Sequence, residues 1–314
     1  MTSGQHIIVT GGAGFIGSQI ARRLLSEGCR VTILDNLSTG TKTNIPPQAD
    51  FIQIDLGQKE MFDALNHLTA DAVFHLAGQS SGEASFLNPL GDLESHVMST
   101  FWLLDWCKAK GIARFLYASS MSVYGDPPTL PLKESHPVQP KTFYGAGKAA
   151  AESYIKLYQT LGINTTIFRL FSVYGPGQNL ANKMQGMVSI YLSYMLEGKP
   201  VLVKGARDRF RDLVFIDDVV DAWMTAYENP KSFGKLYNVA GGRKFTVEEI
   251  LNGLKKSFKN EHYPIEFKGS TPGDQFGVIA DVSLIEKDLG WRPKVSLEEG
   301  LERMVSSEMQ GKVA

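Results

Sequence analysis

A short apolar stretch, His6-Ile7-Ile8-Val9-Thr10, runs straight into Gly11-Gly12-Ala13-Gly14-Phe15-Ile16-Gly17. A helical pattern follows, with Phe15, Ile16, Ile20, Leu24 and Leu25 on one face and Gly28 as its stop. This strand, glycine turn and helix constrain the fold more than any other stretch. Gly11 permits a tight turn, Gly14 lets backbone approach a pyrophosphate, and Gly17 allows close helix packing. The helix N-terminus then presents amide hydrogens and a positive dipole end to an anion. A plain loop would also tolerate three glycines. Their place directly between strand and helix points to a dinucleotide site.

The alternation continues. Apolar strand patterns fall at residues 30–34, 51–54, 72–75, 115–118 and 165–170, with helical patterns at 59–66, 90–110 and 143–161. Near-continuous apolar strands separated by helices predict a parallel sheet covered on both faces, with right-handed connections. The expected fold is α/β, a doubly wound parallel sheet of the Rossmann type. Beyond Ser172 the rhythm loosens at Gly175-Pro176-Gly177, and a smaller mixed α/β lobe is expected. The expected division assigns 1–172 to a nucleotide-binding domain, to which the chain returns at about 213–240. Residues 173–212 and 241–314 then form a substrate lobe over the carboxyl edge of the sheet.

Composition narrows the function. The net charge is −1 with both signs interspersed, so there is no basic footprint for nucleic acid. No apolar run approaches the length of a membrane span. Cys29 and Cys107 lie far apart without metal-ligand spacing, which predicts two reduced thiols, no metal site and a cytoplasmic setting.

Asp35 closes the second strand pattern, eighteen residues after Gly17. A carboxylate there can accept both adenosine ribose hydroxyls and repels a 2′-phosphate, which favours NAD over NADP. It can equally cap the turn Asp35-Asn36-Leu37-Ser38. Asp55, after the third strand pattern, is placed for the adenine amino group or for a turn of its own. Farther along, Tyr144-Gly-Ala-Gly-Lys148 sets a phenol and an ammonium four residues apart on one helix face. A phenol has a pKa of about 10, and a nearby fixed cation favours the phenolate. The pair is expected to make Tyr144 a base for an alcohol proton. Ser120 runs off the fifth strand pattern, where its hydroxyl can hold a substrate oxygen and steer its proton toward Tyr144.

With these residues in place, the stretches TGGAGFIG, DNLSTG, HLAGQ, SSMSVYG, YGAGK, RLFSVYGPG and RFRDLVFIDDV resemble the extended short-chain dehydrogenases/reductases, in particular the NAD-dependent nucleotide-sugar epimerases and dehydratases. A weaker likeness, TPGDQ through DLGWRPKVSLEEGL, covers the end. The resemblance implies Ser120, Tyr144 and Lys148 as the catalytic set. Around NAD it implies Gly11, Gly14, Phe15, Ile16, Gly17, Asp35, Asn36, Thr39, Gly40, Asp55, Leu56, Leu76, Ala77, Gly78 and Phe171, besides Tyr144 and Lys148. For the nucleotide sugar it implies Ser120, Ser122, Ser172, Lys204, Arg211 and Asp274. It also implies a homodimer, formed by pairing two long helices into a four-helix bundle.

Met121 and Ser122 stand where dehydratases of this family carry acids and where its decarboxylases usually carry a Glu. Their identity leaves oxidation and reduction at a carbinol carbon, so a UDP-glucose 4-epimerase-like activity is expected. Reduction of a 4-keto sugar and a catalytically silent NAD-binding regulator are the competing readings. The chain departs from the hexose epimerase pattern at several positions. Ser172 replaces an Asn, Lys204 an aromatic residue near the base, His96 an Asn near the cofactor, and Thr271 a second phosphate-binding Arg. Arg207 and Arg209 are the candidates for that missing charge. Val278 falls roughly at a position that gates the C2 substituent, and its modest size is expected to tolerate an N-acetyl group.

Overall fold

The computed structural model describes residues 4–269 and 276–311. The apolar runs become β1 (His6–Thr10), β2 (Arg30–Asp35), β3 (Asp50–Gln53), β4 (Ala72–His75), β5 (Arg114–Ser120) and β6 (Asn164–Leu170). With Lys235–Val239 they form one seven-stranded sheet in the order Lys235–Val239, β6, β5, β4, β1, β2, β3. All pairings are parallel, with Thr10 opposite both Leu34 and His75. β4 and β5 lie in the middle of a sheet covered on both faces and are buried throughout, including the polar His75, Arg114, Ser119 and Ser120. The strand order reverses between β1 and β4, and that switch point opens a crevice at their carboxyl ends.

Helices cover both faces. Phe15–Ser26 and Ile216–Glu228 close one side, where Phe74, Phe168 and Trp223 pack ring against ring. Ser99–Lys110 and Phe143–Gln159 close the other with Leu103, Leu104, Ile155 and Tyr158. Two helical expectations change in detail. Lys59–Leu65 is 3-10 rather than α, in keeping with its two buried side chains, Phe62 and Leu65, three residues apart. The helical run over 90–110 is divided: Pro89–Leu93, then a π turn over Glu94–Met98, then Ser99–Lys110. Such π turns often mark functional positions, and this one borders the crevice.

The remaining strands are short pairs: Ser172–Tyr174 with Leu213–Phe215, Val201–Val203 with Ile265–Phe267, and Phe210–Arg211 with Phe245–Thr246. The helix Val247–Ser257 starts at a capping box in which Thr246 and Glu249 satisfy each other's backbone amides. Among the described residues, no helix is long and apolar enough to cross a membrane.

Candidate active site

A cavity of about 1150 Å³ lies along the carboxyl edge of the sheet. Gly11, Gly14 and Gly17 form part of its wall. Gly11 has φ +66°, and a β-carbon there would come within 2.7 Å of the Ala77 amide nitrogen. A β-carbon on Gly17 would sit 2.3 Å from the Gly11 carbonyl oxygen. Only glycine lets the turn close at these two points. The helix Phe15–Ser26 begins at Gly14 with no side-chain cap and no acid in its first turn. Its first amides therefore keep their capacity for an anion. This cradle fits the pyrophosphate of a dinucleotide.

Asp35 lines the cavity, and its carboxylate accepts the Ala13 amide at 3.0 Å and the Leu37 amide at 2.8 Å. It thus holds the turn, and each oxygen retains a lone pair for a ribose hydroxyl. Asp55 accepts the Gly57 amide at 2.9 Å, a turn of its own, at the same end of the cavity. Phe15, Ile16, Asn36, Thr39, Leu56, Leu76, Ala77, Gly78 and Phe171 also line the wall. Gly40 does not. It packs on Ala13, where an added β-carbon would meet backbone at 2.8 Å, so its part is to let the loop lie close.

Tyr144, Lys148, Ser120 and Ser122 meet in the same cavity. Thr142 caps the helix Phe143–Gln159 through the Gly145 amide, which fixes Tyr144 in its first turn. Ser120, the last residue of β5, donates to the Ser122 hydroxyl at 3.1 Å and is hydrogen-bonded to Tyr144. The three hydroxyls form a line along which a proton can pass. Lys148 donates to the Ala118 carbonyl at 2.8 Å and lies over the Tyr117 ring.

The electrostatics correct one expectation. Tyr144 is not acidified in the protein alone: burial pushes its hydroxyl up to about 12, against the opposing pull of the Ser120 hydrogen bond. Burial also pushes Lys148 down to about 7, opposed by the negative charges of Asp92 and Glu152. Both groups are buried, so the charged form of each is disfavoured. The Lys148 nitrogen sits 6.0 Å from the Tyr144 ring centre, with one of its three N–H groups on a carbonyl.

Around Ser120, Tyr144 and Lys148 lie buried residues that sequence reasoning did not single out. Glu152 extends the spacing of four from Tyr144 and Lys148, which is the signal that could have found it. It is buried and binds Arg169 through two bonds of 2.9 and 2.7 Å, while Ser119 donates to it at 2.6 Å. This joins β5, β6 and the helix Phe143–Gln159 next to Ser120. Asp92 is also buried and accepts from Gln79. His96, expected near the cofactor, does not line the cavity. Its ring packs edge-on against Tyr144 at 5.2 Å and fills the space beneath Gly78. Burial holds it well below its ordinary pKa, so it is neutral.

At the other end, Ser172, Lys204 and Arg211 line the cavity with Tyr191 and Arg209. Burial pushes the Arg211 guanidinium down to about 10, with the charge of Arg209 acting in the same direction. Arg207 points elsewhere, toward Glu248 at 3.7 Å and over the Phe267 ring. Thr271 and Asp274 lie outside the described residues. Val278 is buried in a small core with Val123, Tyr124 and Phe171 and does not line the cavity, so nothing in its position supports a gate.

The profile of the "NAD dependent epimerase/dehydratase family" matches residues 7–240. A UDP-glucose 4-epimerase of Mycolicibacterium smegmatis is 33% identical over 305 residues, covering 95% of this chain and 96% of its own. UDP-glucuronic acid decarboxylase 1 of Arabidopsis thaliana is 32% identical, covering 96% of this chain and 69% of its own. The crystal structure of a Thermotoga maritima UDP-glucose 4-epimerase with UDP-glucose superimposes with a TM-score of 0.93 at 32% identity, over 98% of this chain and 99% of that one. The chain therefore belongs to the NAD-dependent epimerase/dehydratase family, and its cofactor is NAD.

Proposed function

We propose that this protein is a nucleotide-sugar 4-epimerase that inverts C4 through a transient 4-keto sugar. The observation that carries the reading is the Ser122–Ser120–Tyr144 line of hydroxyls, with Met121 beside it and no acid or base in the two positions after Ser120. Elimination of water and decarboxylation both need a further group for proton transfer at the sugar. Oxidation and reduction at C4 need a single one.

The residues divide the work. Gly11, Gly14 and Gly17 with the first turn of Phe15–Ser26 hold the pyrophosphate of NAD, and Asp35 holds the adenosine ribose. NAD, when bound, exchanges a hydride with the sugar carbon, and its positive nicotinamide ring favours the Tyr144 phenolate. Tyr144 takes the C4 hydroxyl proton, with Ser120 orienting that hydroxyl, and gives it back after the sugar has presented its other face. Lys148 adds positive charge beside the phenol and binds the nicotinamide ribose. Arg211 binds the diphosphate through charge-assisted hydrogen bonds. UDP-sugars are the first candidates, because the relatives are named for them.

The protein works as a homodimer. Tyr154 and Leu157 on the helix Phe143–Gln159, with Leu161 just beyond it, present an exposed apolar face, and Leu157 is 61% exposed. Phe101 and Trp102 on Ser99–Lys110 are only half-buried. Such a face is what a second copy of the two helices would cover.

The test is incubation of the NAD-loaded protein with UDP-, GDP-, CDP- and ADP-sugars, with products resolved by NMR. A C4 epimer should form without added NADH, and Tyr144→Phe should abolish it. Stoichiometric NADH consumption would make the protein a reductase. Conversion of no nucleotide sugar would leave an NAD-binding regulator.

A further inference from the structure

Asp92 is a carboxylate with no part in the Ser122–Ser120–Tyr144 line. It stands in the short helix Pro89–Leu93, lines the cavity and is 2% exposed. A buried carboxylate is costly unless hydrogen bonds and a positive charge answer it. One of its oxygens accepts from the Gln79 side chain, and the other has no hydrogen-bond partner. Gln79 is fixed for this contact. Its side-chain oxygen accepts the Ser81 amide at 2.7 Å and its nitrogen donates to the Ser81 carbonyl at 2.8 Å, which leaves the second N–H for Asp92.

The groups around Asp92 come from three elements. His96, on the π turn, lies 3.7 Å away, but burial keeps its imidazole neutral. Its ring packs on Tyr144, and the π turn can approach that helix closely because of Gly147, where an added β-carbon would come within 3.1 Å of the His96 β-carbon. The positive charge that faces Asp92 is Lys148. Burial pushes the Asp92 carboxyl up, against the Gln79 hydrogen bond and the charge of Lys148. Glu152 also acts on Lys148, but it is bound twice to Arg169. Asp92 is bound to no such cation among the described residues. Burial holds His75 and Tyr117, the remaining titratable neighbours, neutral as well.

We propose that Asp92 is a positioning residue for Tyr144 and Lys148: as the carboxylate of this cluster without an arginine, it is the buried counter-charge that keeps Lys148 an ammonium beside Tyr144. The proposal rests on the roles given to Tyr144 and Lys148 in the 4-epimerase reading and assigns them a partner.

The test is Asp92→Asn in the NAD-loaded protein. Since one Asp92 oxygen has no hydrogen-bond partner, asparagine can keep its oxygen on Gln79 and set its NH2 in the other place, so the change removes charge and little else. Lysines labelled with carbon-13 at Cε report Lys148 by NMR titration, and the resonance missing from Lys148→Met assigns it. In Asp92→Asn, Lys148 should lose its proton about 1 pH unit or more below the wild type, because a charge favouring the ammonium is gone. The second readout is the pH profile of kcat/KM with the nucleotide sugar that turns over. Asp92 also disfavours the Tyr144 phenolate. Without it both groups lose protons more readily, so both limbs of the profile should move to lower pH. A residue that only holds the loop would lower the profile without moving its limbs. Gln79→Met keeps the carboxyl but removes its donor, which favours the neutral acid, and should move Lys148 in the same direction by a smaller step. It stands in for Asp92→Asn if that variant fails to retain NAD. An unmoved Lys148 titration, or a moved one with both limbs in place, would overturn the role of Asp92. A wild type that turns over no nucleotide sugar would instead overturn the 4-epimerase reading, while the Lys148 titration still decides whether Asp92 is its counter-charge.

Discussion

Tyr144 and Lys148 share a helix face, but that face is buried in the wall of the cavity, and burial acts on both groups. With Tyr144 at about 12 and Lys148 at about 7, the pair in the protein alone is a neutral phenol beside a weakened ammonium. The sign of the pH dependence follows. Lys148 has a folded pKa below its unfolded value of about 10.4, so between pH 7 and pH 10 the unfolded chain binds more protons. Stability attributable to Lys148 therefore rises with pH across that window. Below pH 7 its full burial cost is present. Lys148→Met should thus be more stable than wild type by a margin on the order of a few kcal/mol at pH 6, shrinking toward pH 10. Denaturant melts of both proteins at a series of pH values would show this. A margin that did not change with pH would remove the buried ammonium from the account. Above pH 10 the effect of Tyr144 reverses the slope, since its folded pKa lies above its unfolded one. In turnover, Tyr144→Phe should lower kcat by about 10²- to 10⁴-fold with NAD still bound. Retention of NAD is read from its absorbance in the purified protein. Near-normal kcat would overturn the assignment of the base.

At the level of elements, two joints hold the site. The first is the glycine turn. Gly17→Ala would drive a methyl group to 2.3 Å from the Gly11 carbonyl, and backbone cannot yield as a flexible side chain can. The variant should lose bound NAD and melt at a lower temperature, measurable by cofactor content and calorimetry. The second joint is Glu152–Arg169, which ties the helix Phe143–Gln159 to β5 and β6. Glu152→Gln leaves Arg169 with a buried charge and should cost about 3–5 kcal/mol. Replacing both, as Glu152→Gln with Arg169→Met, should recover part of that loss. If the double variant were as unstable as the sum of both single ones, the two residues would be uncoupled. The glycine joint was legible from residue types alone, because only glycine answers that backbone. Glu152–Arg169 was not legible, because its members are 17 residues apart on different elements and meet only through packing.

For the molecule as a whole, the exposed Tyr154, Leu157 and Leu161 set the prediction. Leu157→Glu with Leu161→Glu should convert a dimer to a monomer in sedimentation equilibrium without loss of the folded sheet. A dimer that persisted unchanged would move the interface elsewhere. The sequence by itself determined the sheet, the glycine turn and the three residues proposed for catalysis. Those features follow from local rules: apolar period, glycine at strained backbone, and a spacing of four along one helix. Only the tertiary structure decided how charges are partnered and which side chains meet in the cavity. It turned Arg209 into the cavity and Arg207 out of it, buried Val278 in a core, and set His96 behind Tyr144. The same packing buried Tyr144 and Lys148 and so set their ionisation. Burial is a property of everything packed around a residue, so no reading of its neighbours along the chain could have assigned it.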